Sequence, residues 1–145
     1  MTLMKRCDID EIIGLRHRIL RPGLGVDTAR FPEDNLKSTL HYGFFHQGNI
    51  CVCLTLLFSS IDGQNAWQLR GMATDSEVQG MGFGSQLIQF AAKDALAEGY
   101  SNIFWCNARL AAVPFYQKNG WEIISPIFKV PIFGPHHKMK FIHKN

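Results

Sequence analysis

The segment Gln79-Gly80-Met81-Gly82-Phe83-Gly84-Ser85 sets three alternate glycines between an apolar stretch, Trp67–Thr74, and a long helical pattern, Gly82–Glu98. Without Cβ atoms at 80, 82 and 84, the backbone can take up positive φ and come close to a bulky ligand. The helix that follows begins with unpaired N–H groups and the positive end of its dipole. A strand, a glycine-rich turn and a helix in that order predict a site for a phosphate or pyrophosphate. A tight turn with no ligand would use the same residues, and composition alone does not separate the two. A Walker A loop ends in Gly-Lys-Ser or Gly-Lys-Thr, whereas Gly84 is followed by Ser85-Gln86. The dinucleotide pattern G-x-G-x-x-G also fails, because its third glycine would fall on Ser85 or Leu87.

The rest of the chain supplies the frame for this turn. Leu3–Arg6 reads as a short strand and Ile9–Leu20 as a helix capped by Asp8 and ended by Pro22-Gly23. Gly23–Asn35 is loop-like, and a short helix is expected from Pro32 to Leu40. His41–Phe45 and Ile50–Phe58 are strands joined at Gln47-Gly48-Asn49, a hairpin signal. Ser60–Asn65 reads as a second turn before the strand Trp67–Thr74. In the helix Gly82–Glu98, Leu87, Ile88, Ala91, Ala92 and Ala95 form the apolar stripe, and Gly99 stops it. A strand Asn102–Cys106, a helix Leu110–Asn119 with Pro114 in its first turn, and strands Trp121–Ile124 and His137–Ile142 complete the order. This predicts a mixed α/β (α+β) layer, a meandering sheet covered by helices, in one domain spanning residues 1–145.

A chain of 145 residues, 46% hydrophobic and 19% charged, can bury a full core. No apolar run approaches the roughly 20 residues of a membrane span. The opening residues Met1–Arg6 precede an acidic Asp8, Asp10 and Glu11, so no secretion signal and a cytoplasmic location are expected. A net charge of +3 is too small and scattered to imply nucleic acid. Cys51 and Cys53, at i and i+2, are expected to point the same way, and together with Cys7 and Cys106 they lack metal-ligand spacing. Reduced, buried thiols are expected. The basic C-terminal segment, from Lys129 through His136, His137 and Lys138 to Lys144, reads as a solvated strand face and a frayed end.

The loop has the pattern Q-x-x-G-x-G, from Gln79 through Gly82 to Gly84, which resembles the acetyl-CoA signature of the GNAT acetyltransferases. Leu69-Arg70-Gly71-Met72-Ala73-Thr74 resembles that family's fourth strand. Ala112-Val113-Pro114-Phe115-Tyr116-Gln117-Lys118-Asn119-Gly120-Trp121 resembles its A-x-x-(F/L)-Y-x-x-x-G-F segment, with Trp for the final Phe. The resemblance covers Trp67–Trp121, about half the chain, with a weaker echo to Met139. It implies a GNAT-like, mostly antiparallel central sheet flanked by helices. It also implies transfer of an acetyl group from acetyl-CoA, without metal, to a primary amine of a small molecule or peptide. Many relatives are dimers, so a homodimer is possible.

The same resemblance assigns roles. Met72, Ala73, Thr74, Gln79, Gly80, Met81, Gly82, Phe83, Gly84, Ser85 and Phe115 are implied to bind CoA. Many members carry Asn seven residues before the helix tyrosine. Arg109 stands there instead, with Asn107 nearby, and either could meet CoA or the substrate. Tyr116 is implied as the acid that protonates the departing thiolate. As residues alone, Phe115 and Tyr116 on an amphipathic helix more often read as core. The base is harder to find: the fourth and fifth strands carry no carboxylate and Glu77 lies in a loop. His136 and His137 remain, of which one at most can face a cleft. His136 is chosen because the family's late strands border the acceptor cleft. Arg16, His17, Arg18 and Arg21, with Arg30 and Asp34 beyond, lie where the family's early helices wall the acceptor site and could bind an acidic or polar substrate, though such charges more often read as solvated. The missing carboxylate leaves an alternative: a CoA-binding sensor or partner-binding module with no catalysis.

Overall fold

The computed structural model describes residues 1–144. An eight-stranded sheet runs in the order β1-β2-β3-β4-β5-β8-β6, with β7 also paired to β8. The strands are β1 (Thr2–Cys7), β2 (Leu40–His46), β3 (Asn49–Ile61), β4 (Gln64–Thr74), β5 (Ile103–Arg109), β6 (Glu122–Ile123), β7 (Phe128–Val130) and β8 (Gly134–Ile142). Three α-helices pack on it: α1 (Ile9–Leu20), α2 (Phe83–Ala95) and α3 (Val113–Lys118). Only β4 and β5 pair in parallel; the other neighbours are antiparallel. The architecture is therefore the mixed, mostly antiparallel one expected.

Two-residue turns set the register of the meander. Gln47 and Gly48 have φ of 52° and 81°, and Asp62 and Gly63 have φ of 51° and 78°. Such turns match the twist of the strands they join and fix which residues pair. The second turn is shorter than expected: β3 runs to Ile61 and β4 begins at Gln64, so Ser60–Asn65 is mostly strand. Side chains alternate along β3. Val52, Leu54 and Leu56 join Leu87, Ile88 and Ala91 of α2 in the main core, while Cys53 faces Ile12 and Leu15 of α1. The α2 stripe is buried as its periodicity predicts.

Two bulges interrupt this alternation. Phe44 faces Val52 and Phe45 faces Ile50, so Cys51 is an extra residue in β3. This is why Cys51 and Cys53 fall in different clusters rather than on one face. On β4, Arg70 faces Thr55 and Ala73 faces Cys53, so two residues, Gly71 and Met72, oppose one. Gly71 has φ of 65°, a conformation that suits glycine.

Other boundaries shift because local hydrogen bonding competes with helix periodicity. Pro32–Asn35 is a single 3-10 turn, and the chain is already in β2 at Leu40, so no helix spans Pro32–Leu40. Val26–Ala29 is a second such turn inside the expected loop. The helix expected at Leu110–Asn119 divides into a 3-10 turn, Leu110–Ala112, and α3. Strand β5 continues past Asn107 to Arg109, and β7 was not foreseen.

One buried polar cluster fastens the irregular segment between α1 and β2. Arg16 has no accessible surface. Its Nη1 donates to Ala29 O at 3.0 Å and to Asp34 Oδ2 at 2.8 Å, and its Nη2 donates to Asp34 Oδ1 at 3.1 Å and Thr55 Oγ1 at 2.7 Å. Arg16 is therefore neither solvated nor a substrate ligand. His41 Nε2 donates to Asp34 O at 2.9 Å, which leaves Nδ1 to accept from Thr55 Oγ1 at 2.8 Å. A neutral imidazole satisfies both contacts.

Burial pushes the His41 pKa below the usual imidazole range, outweighing the pull of the nearby Asp34 main chain and carboxylate. The folded state thus disfavours protonated His41, and the unfolded chain binds the extra proton as pH falls through about 6.5. Stability contributed by neutral His41 is present above that pH and is lost below it. We expect the melting temperature to drop more steeply between pH 7.5 and 5.5 in the parent than in His41→Gln. Parallel slopes in the two proteins would remove His41 from the acid sensitivity.

Candidate active site

The glycine loop is built as an open cradle. Gly80 and Gly82 have φ of 84° and 82°, and a Cβ placed on either would meet nothing within 4 Å. Gly82 is the N-cap of α2, no side chain caps it, and the first turn carries no acidic residue. Its leading N–H groups and the positive end of the dipole therefore have no side-chain cap, which suits a pyrophosphate. The Phe83 side chain turns into the core and stacks on Phe44 at 4.3 Å, so only its backbone can serve the cradle. Met81 is exposed. Ser85 Oγ accepts from Asn119 Nδ2 at 3.1 Å, which ties the start of α2 to the end of α3.

Beside this cradle the sheet opens. Strands β4 and β5 pair only at Trp67–Phe104 and Gln68–Trp105, although both continue for several residues. Where pairing stops, a cavity of about 370 Å³ lies between Gln68–Met72 on one strand and Cys106–Arg109 on the other. Parallel strands that part in this way make a cleft at their carboxyl ends. Gly84 joins cradle to cavity: a Cβ on it would come 3.2 Å from the Phe115 ring and 3.6 Å from Met72 Cε. Met72 lines the cavity, and Phe115 precedes Tyr116, which also lines it.

Of the residues expected at the site, Met72, Asn107, Arg109, Tyr116 and His136 share this one cavity. The loop residues 79–85 stand beside it rather than in it. The Ala73 side chain packs in the α1 cluster, and Ala73 does not line the cavity. His137 does not line the cavity; its Nδ1 donates to Ser125 O at 2.9 Å.

Tyr116 from α3 and His136 from β8 both line the cavity. Burial pushes the Tyr116 hydroxyl well above its ordinary pKa of 10, and the neighbouring Cys106 thiol adds to the rise. The Cys106 thiol is itself pushed up to about 12 by burial. His136 pairs across from Arg109, three residues further along β5 than Cys106, or about 10 Å at strand rise. His136 is buried, and its Nδ1 donates to Gly134 O at 2.8 Å. In a neutral ring that bond places the proton on Nδ1, so that Nε2 is the acceptor. The late basic segment is thus not merely a solvated face, because β8 is held between β5 and the strands β6 and β7.

Sequence reasoning missed three groups at the cavity: the Gly71 bulge, Phe31 and Phe133. A lone glycine inside a strand pattern is a signal for a bulge and was available at Gly71. Nothing local marks Phe31 or Phe133, which arrive from irregular segments. A side chain at Gly71 would come 2.8 Å from Arg16 Nε and 3.0 Å from the Phe31 ring, so the bulge, the buried arginine and Phe31 are packed as one unit.

A glycine turn at a helix N-terminus, opening onto a cleft between splayed parallel strands, is the arrangement expected of an acyl-CoA transferase fold. The sequence model of the acetyltransferase (GNAT) domain matches residues 38–123, and the chain belongs to that family. It is 32% identical over 139 residues to the uncharacterized N-acetyltransferase YitI of Bacillus subtilis (strain 168), covering 94% of this chain and 93% of that one. Its fold is similar to that of Escherichia coli ElaA, with a TM-score of 0.78 at 14% identity over 97% of this chain and 99% of the other. It is also similar to an aminoglycoside 6'-N-acetyltransferase complexed with coenzyme A, with a TM-score of 0.76 at 13% identity over 97% and 96%.

Proposed function

We propose that the chain moves an acetyl group from acetyl-CoA directly to a primary amine of a small molecule or peptide, in a ternary complex. The observation that carries this reading is the junction at Gly84, where the anion cradle meets the cavity that holds Tyr116 and His136. Backbone N–H groups from Gln79 to Ser85 hold the pyrophosphate. Met72, Ala73 and Thr74 on one side and Asn107 and Phe115 on the other guide the arm toward the cavity. Bound acetyl-CoA supplies a thioester carbonyl that an amine can attack.

The protein groups then divide the proton work. His136 Nε2 takes the proton from the amine as the new N–C bond forms. The bulge at Gly71–Met72 lies in the cavity wall with its backbone outside the regular ladder, and it offers N–H groups to the negative charge that develops on the carbonyl oxygen. Tyr116 presents its hydroxyl proton to the sulfur as the C–S bond breaks. Its raised pKa keeps it protonated throughout the working range. Cys106 lines the same cavity but is held as a thiol, with a pKa of about 12, so it is a poor acyl carrier. This favours direct transfer over an acyl-enzyme route.

Two measurements test the reading. A thiol-release screen with acetyl-CoA and a broad amine library should show turnover, and stoichiometric acetyl-CoA binding without turnover would favour the sensor reading. Calorimetry on Gly82→Val should show binding weakened at least about tenfold, because valine must adopt a strained positive φ where the backbone meets the pyrophosphate. Unchanged affinity in a folded Gly82→Val protein would remove the loop from CoA binding.

A further inference from the structure

The cavity has an unusual balance of charge. Arg21 from the end of α1, Arg70 from β4 and Arg109 from β5 line it, while no aspartate or glutamate among the described residues does. Arg21 makes one side-chain hydrogen bond, to Leu20 O at 3.0 Å, and neither it nor Arg109 has a carboxylate partner among the described residues. Arg70 approaches Glu33 at 3.8 Å, outside hydrogen-bond range. Asp34 is already committed to Arg16.

Two aromatic rings hold these cations in place. The Phe133 ring lies between Arg21 and Arg109, with guanidinium carbons 4.3 and 5.4 Å from its centroid. The Phe31 ring lies between Arg16 and Arg70, at 4.0 and 4.2 Å. A guanidinium stacked on a ring keeps its N–H edge free, and that planar edge matches an oxyanion. Burial, together with the nearby Arg109, Arg70 and Arg16, lowers the Arg21 pKa, so these like charges repel one another across the cavity. An anion bound among them would relieve that repulsion.

We propose that the acceptor is an anionic amine, one that carries a carboxylate or phosphate group which Arg21, Arg70 and Arg109 bind while its amine faces His136. This rests on the acetyltransferase reading and narrows it. The volume of about 370 Å³ admits a small molecule or the end of a peptide chain. The inference sets polyamines and other purely cationic acceptors against the charge of the cavity.

The test uses matched amines and the full-length protein. L-phenylalanine and L-phenylalaninamide differ in one charge, as do L-glutamate and L-glutamine at the side chain, and O-phosphoethanolamine and ethanolamine differ in a phosphate. For at least one pair, kcat/KM for acetyl transfer should favour the anionic member by about tenfold or more. In Arg21→Gln and Arg70→Gln that ratio should shrink at least about fivefold, and Arg21→Lys should restore part of it. Such a pattern separates anion recognition from general loss of structure, and the carboxylate and phosphate pairs separate the two sources of charge. Equal efficiency for both members of every pair would overturn the anion site and leave the acetyltransferase reading standing. A ratio unchanged in the variants, with KM for acetyl-CoA raised instead, would also overturn it by assigning the arginines to the cofactor. Calorimetric titration of the same pairs in the presence of CoA supplies a readout independent of turnover. Anion-selective binding without any transfer would overturn the acetyltransferase reading and keep the anion site.

Discussion

Replacing Tyr116 by phenylalanine should lower kcat by about 10²–10⁴-fold, roughly 3 to 5 kcal/mol of transition-state stabilisation, with little change in apparent affinity for acetyl-CoA. The substitution keeps the ring, which packs against Phe115 and Trp121 with centroids 5.3 and 5.2 Å away. It removes only the hydroxyl. A tyrosine that merely filled the core would behave differently, lowering stability and leaving the rate of the folded fraction intact. Measuring kcat and melting temperature on one preparation therefore separates the roles. Burial that holds the phenol well above 10 adds a second signature. No loss of kcat assignable to Tyr116 should appear below about pH 10, because the proton it presents is still in place. Full activity in the Phe variant, or an alkaline limb at lower pH that vanishes with it, would take Tyr116 out of the reaction.

Substitution of Arg16 by alanine should destabilise the fold by about 3–5 kcal/mol. The change leaves the Asp34 carboxylate buried, with Phe31 N at 2.8 Å as its remaining close donor, and removes a donor from Thr55. Asp34→Ala should cost a similar amount, because it strands the arginine instead. The double variant Arg16→Ala/Asp34→Ala should cost clearly less than the sum of the two losses, since neither charge is then left unpaired. Denaturant unfolding of all three against the parent gives the cycle directly. Additive losses in the double variant would show that the two side chains contribute independently rather than as a pair.

These two residues show what could and could not be read ahead of the structure. The place of Tyr116 on a helix beside the cavity was legible because that helix carries a family pattern at fixed spacing, and the strand-turn-helix order around Gln79–Ser85 was legible from its glycines and the helix periodicity that follows. Helix α1 was placed from Ile9 to Leu20 because Asp8 and Pro22-Gly23 mark both ends chemically. Arg16 was misread because periodicity treats every arginine on a helix as a candidate for solvent. Its burial depends on Asp34 and Thr55, which lie 18 and 39 residues away in the chain. The Cys51 face was misassigned because a bulge shifts the alternation and leaves no mark in composition. The segments around Phe31 and Phe133 lacked any periodic signal, so the cations that they bracket stood in the sequence as unrelated residues.

The way those two phenylalanines are carried bears on how such a protein can change. The splayed strands and the cradle are continuous with the sheet, and altering them alters the core. Phe31 and Phe133 instead sit on irregular stretches, one fastened through Arg16 and Asp34, the other at the turn between β7 and β8. Loops of this kind tolerate substitution far better than the elements that they join. On the acceptor site proposed above, Arg21 and both rings lie outside the sheet, so part of the selectivity is separable from the strands that carry Arg70 and Arg109. Exchange of residues near 21–31 and 130–134 alone, with the Arg16–Asp34 anchor kept, offers a route to a new substrate on an unaltered catalytic frame. An engineer would vary those two stretches and leave the sheet alone.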